Sequence, residues 1–310
     1  MPATGTVTSL ARLSRTRGLW LGMAIAVTCA GLWFFFSSLW DLWTRDGLRS
    51  IGMLIPPTSL VLCLRAWRGQ EWKGGSWWGL GLMALSIGVA LISPRLGTGV
   101  GYVAAYRYVF NFLPVGPLLW AYASGAVILL GGATAWRKAA FPLALLLFVN
   151  PVPQFFVEFM DLPLQHFGAS VAWAFAGWVG IPVIGEPTEL WLYFAPGYGM
   201  FIAPECNGLR SAVTLGYVTL VAGYLFRLSW PSHALYVTGG VLFAFVLNAA
   251  RLCVLVLLNR LALGVPFLYR ALEREAEWID YMLYIPMFLV GALFLLGIPR
   301  LLARRREQAP

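Results

Sequence analysis

Within the stretch APECNGLRSA, from Ala203 to Ala212, an acid, a thiol and a guanidinium fall inside six positions: Glu205, Cys206 and Arg210. A cysteine attacks as its thiolate, and both a neighbouring arginine and a helix N-terminus favour that form. Cys206 has both, because the loop ahead of it is broken by Pro196, Gly197 and Gly199 while the apolar run VTLGYVTLVAGYLF begins just after it. Arg210, one helical turn on, is spaced to reach back toward the thiol. Glu205 either fixes an arginine, Arg210 or Arg251, or contacts a substrate; the first is favoured, since a carboxylate beside a thiolate raises the thiol pKa.

A second charge stands in FVLNAARLCVLVLL, where Arg251 interrupts an apolar run. An intramembrane arginine is costly unless paired or wet, which makes it a functional candidate, here for stabilising developing negative charge. The structural alternative is a pair with a carboxylate such as Glu205. Asn248, three positions earlier on the same helical face, is placed to hold the guanidinium. Cys29, Cys63 and Cys253 lie in apolar runs and read as small buried hydrophobes. No CxxC pair or histidine cluster accompanies them, so neither a metal site nor a disulfide framework is indicated, and nothing calls for a cofactor.

The elements that must position these groups are membrane spans. Of 310 residues, 60% are hydrophobic and 11% charged, with a mean hydropathy of +0.75; that mix is far from a soluble domain. Apolar runs near the roughly 20 residues that a bilayer requires recur at Gly18 to Trp40, Ile51 to Ala66, Ser76 to Ser93, Leu113 to Trp136, Leu162 to Ile184, Asn207 to Phe226, His233 to Leu263 and Ile279 to Leu302. The expected fold is therefore all-α, a polytopic bundle of about eight transmembrane helices in one domain over residues 1–310. The piece TELWLYFAPGYGMFIAP is the only strand material; Glu189, Leu190, Trp191, Leu192 and Tyr193 are expected to be extended on the approach to Cys206. The first run follows ARLSRTRG with no small-residue cleavage site and reads as a retained span.

The net charge of +9 punctuates the ends of apolar runs rather than forming a basic face, so the partner is a lipid bilayer and not nucleic acid. By the positive-inside rule Arg12, Arg15 and Arg17 are cytoplasmic, as are Arg65, Arg68 and Lys73, Arg137 and Lys138, Arg227, and the tail RLLARRR. Between Ala139 and Phe226 both ends are cytoplasmic, yet three apolar segments intervene. Either the piece Ala139 to Pro153, ending in NPVP, or the run Leu162 to Ile184 fails to cross. In both cases Cys206 lies at the outer surface. Arg251, about 19 residues or roughly 28 Å into the following helix, rises to the same level, and Glu273 to Asp280 share that outer layer.

ECNGLRSA, followed one span later by NAAR, resembles the exosortase/archaeosortase family, with its CxG(I/L)RS and NxxR motifs. NPVPQFF, LQHFGASVAWAFAGWVGIPV, GEPTELWL and GMLIPPTSLVLCLRAWR agree, in order, over roughly Gly47 to Leu302. The resemblance implies an inner-membrane cysteine transpeptidase facing away from the cytoplasm. It acts on C-terminal sorting signals of the PEP-CTERM type, each a short motif, a transmembrane helix and a basic end, with links to exopolysaccharide or surface anchoring. Cys206 would be the nucleophile and Arg251 the second catalytic residue. The third, a His or Arg in the family, falls near the outer start of the last span. Here no histidine follows Arg251: His166 and His233 both precede it. The ionisable residues of that region are Arg270, Arg274, Glu277 and Asp280, and the resemblance does not choose among them; the leaving-group proton would come from Glu277, Asp280, water, or His166. The competing class is a membrane transporter or envelope assembly scaffold without catalysis; hydrolysis without transfer and an inactive family member complete the alternatives.

Overall fold

The computed structural model describes residues 4–45, 49–70, 75–96, 115–150, 154–186, 189–274 and 276–307. Its contacts gather into two compact units, Met1–Phe155 and Phe156–Pro310. Helix dominates both, as the composition demands, because in hydrocarbon every backbone N–H must find its acceptor within the segment.

The first unit is built on α1 (Thr4–Arg45), α2 (Ile55–Ala66, entered through a 3-10 turn, Ser50–Leu54), α3 (Trp78–Leu96) and α4 (Val115–Lys138). α3 and α4 approach backbone to backbone: a Cβ on Gly79 would meet the Gly125 carbonyl, and a Cβ on Gly125 would stand 2.7 Å from the Gly79 oxygen. Small residues at a crossing permit this where apolar burial offers little drive in lipid. Buried Tyr122 of α4 donates to the Val27 carbonyl of α1 at 2.6 Å. Trp43 Nε1 donates to the Val149 carbonyl at 2.9 Å, and Ser59 Oγ to that of Pro142 at 2.7 Å.

After α4 the chain forms only α5, the five residues Ala140–Ala144, and a four-residue 3-10 turn, Leu145–Phe148. Pro151 and Pro153 follow, and a residue before proline avoids the helical region. The piece rises roughly 15 Å, half of a hydrocarbon core. By contrast α6 (Gln154–Trp178) has 25 residues, long enough to cross by length alone, with Pro163 inside it; among the described residues it is not one of the helices apolar enough to be a candidate span. Of the two segments between Ala139 and Phe226 that compete to be the incomplete one, the helical part of 139–153 is the shorter.

The second unit holds most of α6, then β1 (Trp191–Ala195), β2 (Tyr198–Phe201), α7 (Leu209–Leu225), α8 (Trp230–Ala262), α9 (Pro266–Arg274) and α10 (Ala276–Glu307). The expected extended segment is strand from Trp191, while Glu189 and Leu190 form a bend, and it continues into a second strand: an antiparallel hairpin pairs Trp191 with Phe201 and Leu192 with Met200. It turns at Pro196 and Gly197, the latter at φ +75. Alternation puts Leu192, Phe194 and Ile202 inward while Trp191 and Phe201 stack outward, ring centroids 5.2 Å apart. The hairpin is moored by Tyr198, whose hydroxyl donates to Asn259 Oδ1 at 3.0 Å and whose ring meets Tyr269 of α9 at 4.7 Å. Among the described residues, four helices carry an apolar stretch long enough to cross a membrane, in α1, α4, α8 and α10. α2 with its entry turn, α3 and α7 are shorter apolar helices. The architecture is the all-α membrane bundle read from the sequence.

Candidate active site

Cys206 closes a 3-10 turn, Pro204–Cys206, that delivers the hairpin to the start of α7. Its N–H donates to the Ala203 carbonyl at 2.8 Å. The next residue makes the corner: Asn207 Oδ1 accepts the Leu209 N–H at 2.7 Å, capping the first turn of α7, and its Nδ2 donates to Asp161 Oδ1 of α6 at 2.7 Å. Gly208 then takes φ +81. That conformation suits glycine, and so does the space, since a Cβ there would lie 3.0 Å from Asn248 Nδ2. We expect Gly208→Ala to lower the melting temperature by several degrees and to slow Cys206 alkylation, measured by thermal unfolding and peptide mass mapping on the same sample.

From α8, Asn248 Nδ2 donates to the Cys206 carbonyl at 2.8 Å. The helical spacing had suggested that Asn248 serves Arg251; the structure gives it a bond to the main chain of the cysteine itself. The NAAR turn therefore packs on the Cys206 turn, at the level that counting residues along α8 places it. Arg251, one turn past Asn248, is 4% exposed, and Leu252 beside it is fully buried. Cys206 is 9% exposed and sits among Ala169, Ala172, Leu192, Ile202 and Leu252, contributed by α6, the hairpin and α8. A stripe of small residues on α6 makes room: Gly168 lies against Leu252, and its Cβ would be 3.8 Å from the Cys206 oxygen.

The guanidinium of Arg251 lies over the ring of Tyr284 in α10, 5.9 Å from its centroid. Both line a small cavity with Ser211, Leu215, Leu247 and Asn248. Arg210 is half-buried in the first turn of α7, and its carbonyl accepts from Thr214 at 2.7 Å. The side chain of Glu205 falls outside the described residues, as do those of Glu277 and Asp280 in the first turns of α10. Arg270 and Arg274 are exposed on α9, and His166 is exposed on α6. The other histidine, His233, bonds through Nε2 to the Leu220 carbonyl at 2.9 Å. Among the described residues no cluster suits a metal ion.

Asp161, Ser211 and Tyr284 belong to this neighbourhood without having drawn notice in the sequence. Asp161 has a signal of sorts, an acid within an apolar segment; Ser211 and Tyr284 look like ordinary helix residues. Asp161→Ala would leave the Asn207 amide without its charged acceptor at a half-buried position. We expect a loss of about 1–3 kcal/mol, read as a lower midpoint in thermal unfolding, with Asp161→Asn recovering part of it.

The cysteine turn and the NAAR turn, joined through Asn248, fit a family comparison. The model of the transmembrane exosortase family matches residues 43–265. The match takes in α2 to α8, the hairpin, Cys206 and Arg251, and stops before α10. No curated protein and no solved structure matches the chain. Exosortases are membrane cysteine transpeptidases, and a membrane transpeptidase type of role follows for the chain in general terms. With well over half of its length matched, the protein belongs to the transmembrane exosortase family.

Proposed function

We propose that the protein is a cysteine transpeptidase that cleaves C-terminal sorting signals of exported proteins through an acyl-thioester on Cys206. The observation that carries this reading is the 2.8 Å bond from Asn248 to the Cys206 carbonyl. It joins the two motif turns and sets buried Arg251 one helical turn from the cysteine's backbone.

With the 139–153 piece as the incomplete crossing, the positive-inside rule gives eight alternating spans and an outward-facing hairpin. Cys206 then meets the sorting signal where the substrate's own transmembrane helix leaves the bilayer on the outer side of the cytoplasmic membrane. The Cys206 sulfur attacks the carbonyl carbon of the scissile peptide bond, forming the C–S bond as a tetrahedral oxyanion develops. Arg251 stabilises that charge and the thiolate before it, at a buried position where such stabilisation is larger than in bulk water. Collapse breaks the C–N bond, and the amine departs with the membrane tail, taking a proton from water at the outer face. A second nucleophile, an amine of the envelope or water, attacks the thioester and regenerates the thiol. A PEP-CTERM type signal and a link to exopolysaccharide or surface anchoring are the natural substrate class and setting for this chemistry.

The test is co-expression with an exported reporter carrying a short motif, an apolar helix and a basic C-terminus, followed by immunoblotting. Processing by the native protein and full-length reporter with Cys206→Ala is the expected pair of results. A reporter that stays intact with the native protein, for signals of the PEP-CTERM class, would turn the reading toward a scaffold.

A further inference from the structure

Of the ionisable side chains near the start of the last span, those of Arg270 and Arg274 are exposed on α9. A different residue of that span does meet Arg251. The guanidinium carbon of Arg251 stands 5.9 Å from the ring centroid of Tyr284, inside the range in which a cation is held by an aromatic face. Tyr284 is half-buried, and its ring stacks on that of Phe288 one turn along α10, centroids 5.9 Å apart and planes 17° from parallel. The stacking limits how Tyr284 can turn. Arg251 and Tyr284 also share a cavity of about 10 Å³, walled by Ser211, Asn248 and Phe288 and large enough for about one water molecule.

These contacts bear on an arginine that is 4% exposed. A buried guanidinium on a long side chain is useful to Cys206 only in one orientation, and holding it costs side-chain entropy. A ring face supplies attraction and a flat stop without adding a second charge or a proton to exchange.

We propose that Tyr284 is a positioning residue of this site: its ring face seats the guanidinium of Arg251, so that the last helix contributes an aromatic surface to the site. The inference rests on the reading of Arg251 as the partner of Cys206. It makes the ring, and not the hydroxyl, the feature that matters.

The experiment measures the rate of Cys206 alkylation by iodoacetamide at neutral pH, by peptide mass mapping of the full chain in lipid nanodiscs. The variants are Tyr284→Phe, Tyr284→Leu, Arg251→Met and the double Tyr284→Leu/Arg251→Met, each checked by thermal unfolding. Tyr284→Phe is expected to stay within about 2-fold of the native rate, and Tyr284→Leu to be slower by about 5- to 30-fold. Arg251→Met should be at least as slow, and the double variant no slower than Arg251→Met alone, because the ring acts through the guanidinium. Should Tyr284→Leu not fold, Tyr284→Met carries the same comparison. A native rate in Tyr284→Leu beside a slowed Arg251→Met overturns the inference and leaves the proposed function standing. Tyr284→Phe as slow as Tyr284→Leu also overturns it, assigning the role to the hydroxyl. A native rate in Arg251→Met removes Arg251 from the thiol's environment, and the inference falls with that part of the proposed function.

Discussion

We expect Cys206→Ala to abolish processing of a sorting signal, by about 1,000-fold or more, while the protein folds and inserts as before. The size follows from chemistry: without the sulfur no acyl-enzyme forms, and loss of a catalytic nucleophile removes most of an enzyme's rate advantage. The harmlessness to the fold follows from packing. Cys206 is a small side chain in an apolar pocket, and losing one sulfur there costs about 1 kcal/mol. Its backbone bonds to Ala203 and Asn248 do not depend on the side chain. Immunoblots of reporter processing, with unfolding curves of the purified variant, check both halves.

Arg251→Met separates catalysis from stability. We expect activity to fall by about 100- to 1,000-fold, the usual cost of removing one donor that stabilises an oxyanion. Stability holds or rises, because a buried guanidinium pays a desolvation penalty that an apolar side chain of similar length escapes. Leu215, Leu247, Met287 and Phe288 already make much of its surroundings apolar. A purely structural arginine predicts the reverse pattern, a melting temperature several degrees lower with residual activity following the folded fraction. Kinetics of reporter cleavage in nanodiscs and scanning calorimetry on one preparation distinguish the two.

The fold was legible where its physics is one-dimensional. Runs of apolar residues long enough for hydrocarbon mark the helices, and Pro196 with Gly197 marks the hairpin turn. Charge parity narrows the incomplete segment to two candidates; their lengths differ in a way the sequence does not show, since helix ends at Phe148 in the first and runs through Pro163 in the second. Cys206 and Arg251 stood out because a thiol at a helix start and a charge in a span are both costly to place without reason. Tyr284 and Ser211 did not, because aromatic and hydroxyl residues are ordinary on membrane helices and their spacing carries no sign of a partner on another helix. Asn248 shows the same limit differently. Its place one turn from Arg251 is readable, but its bond to the Cys206 carbonyl depends on how α7 and α8 cross, which no local pattern encodes.

The most direct test of the central claim is the intact mass of the full-length protein recovered from cells co-expressing a sorting-signal substrate. The account predicts a fraction heavier by the mass of the substrate's N-terminal portion less one water. Hydroxylamine should release that mass, as it does a thioester, and Cys206→Ser should lack any hydroxylamine-sensitive adduct. Processing of the substrate by a protein whose adduct maps to another residue, or processing that persists in Cys206→Ala, would contradict it.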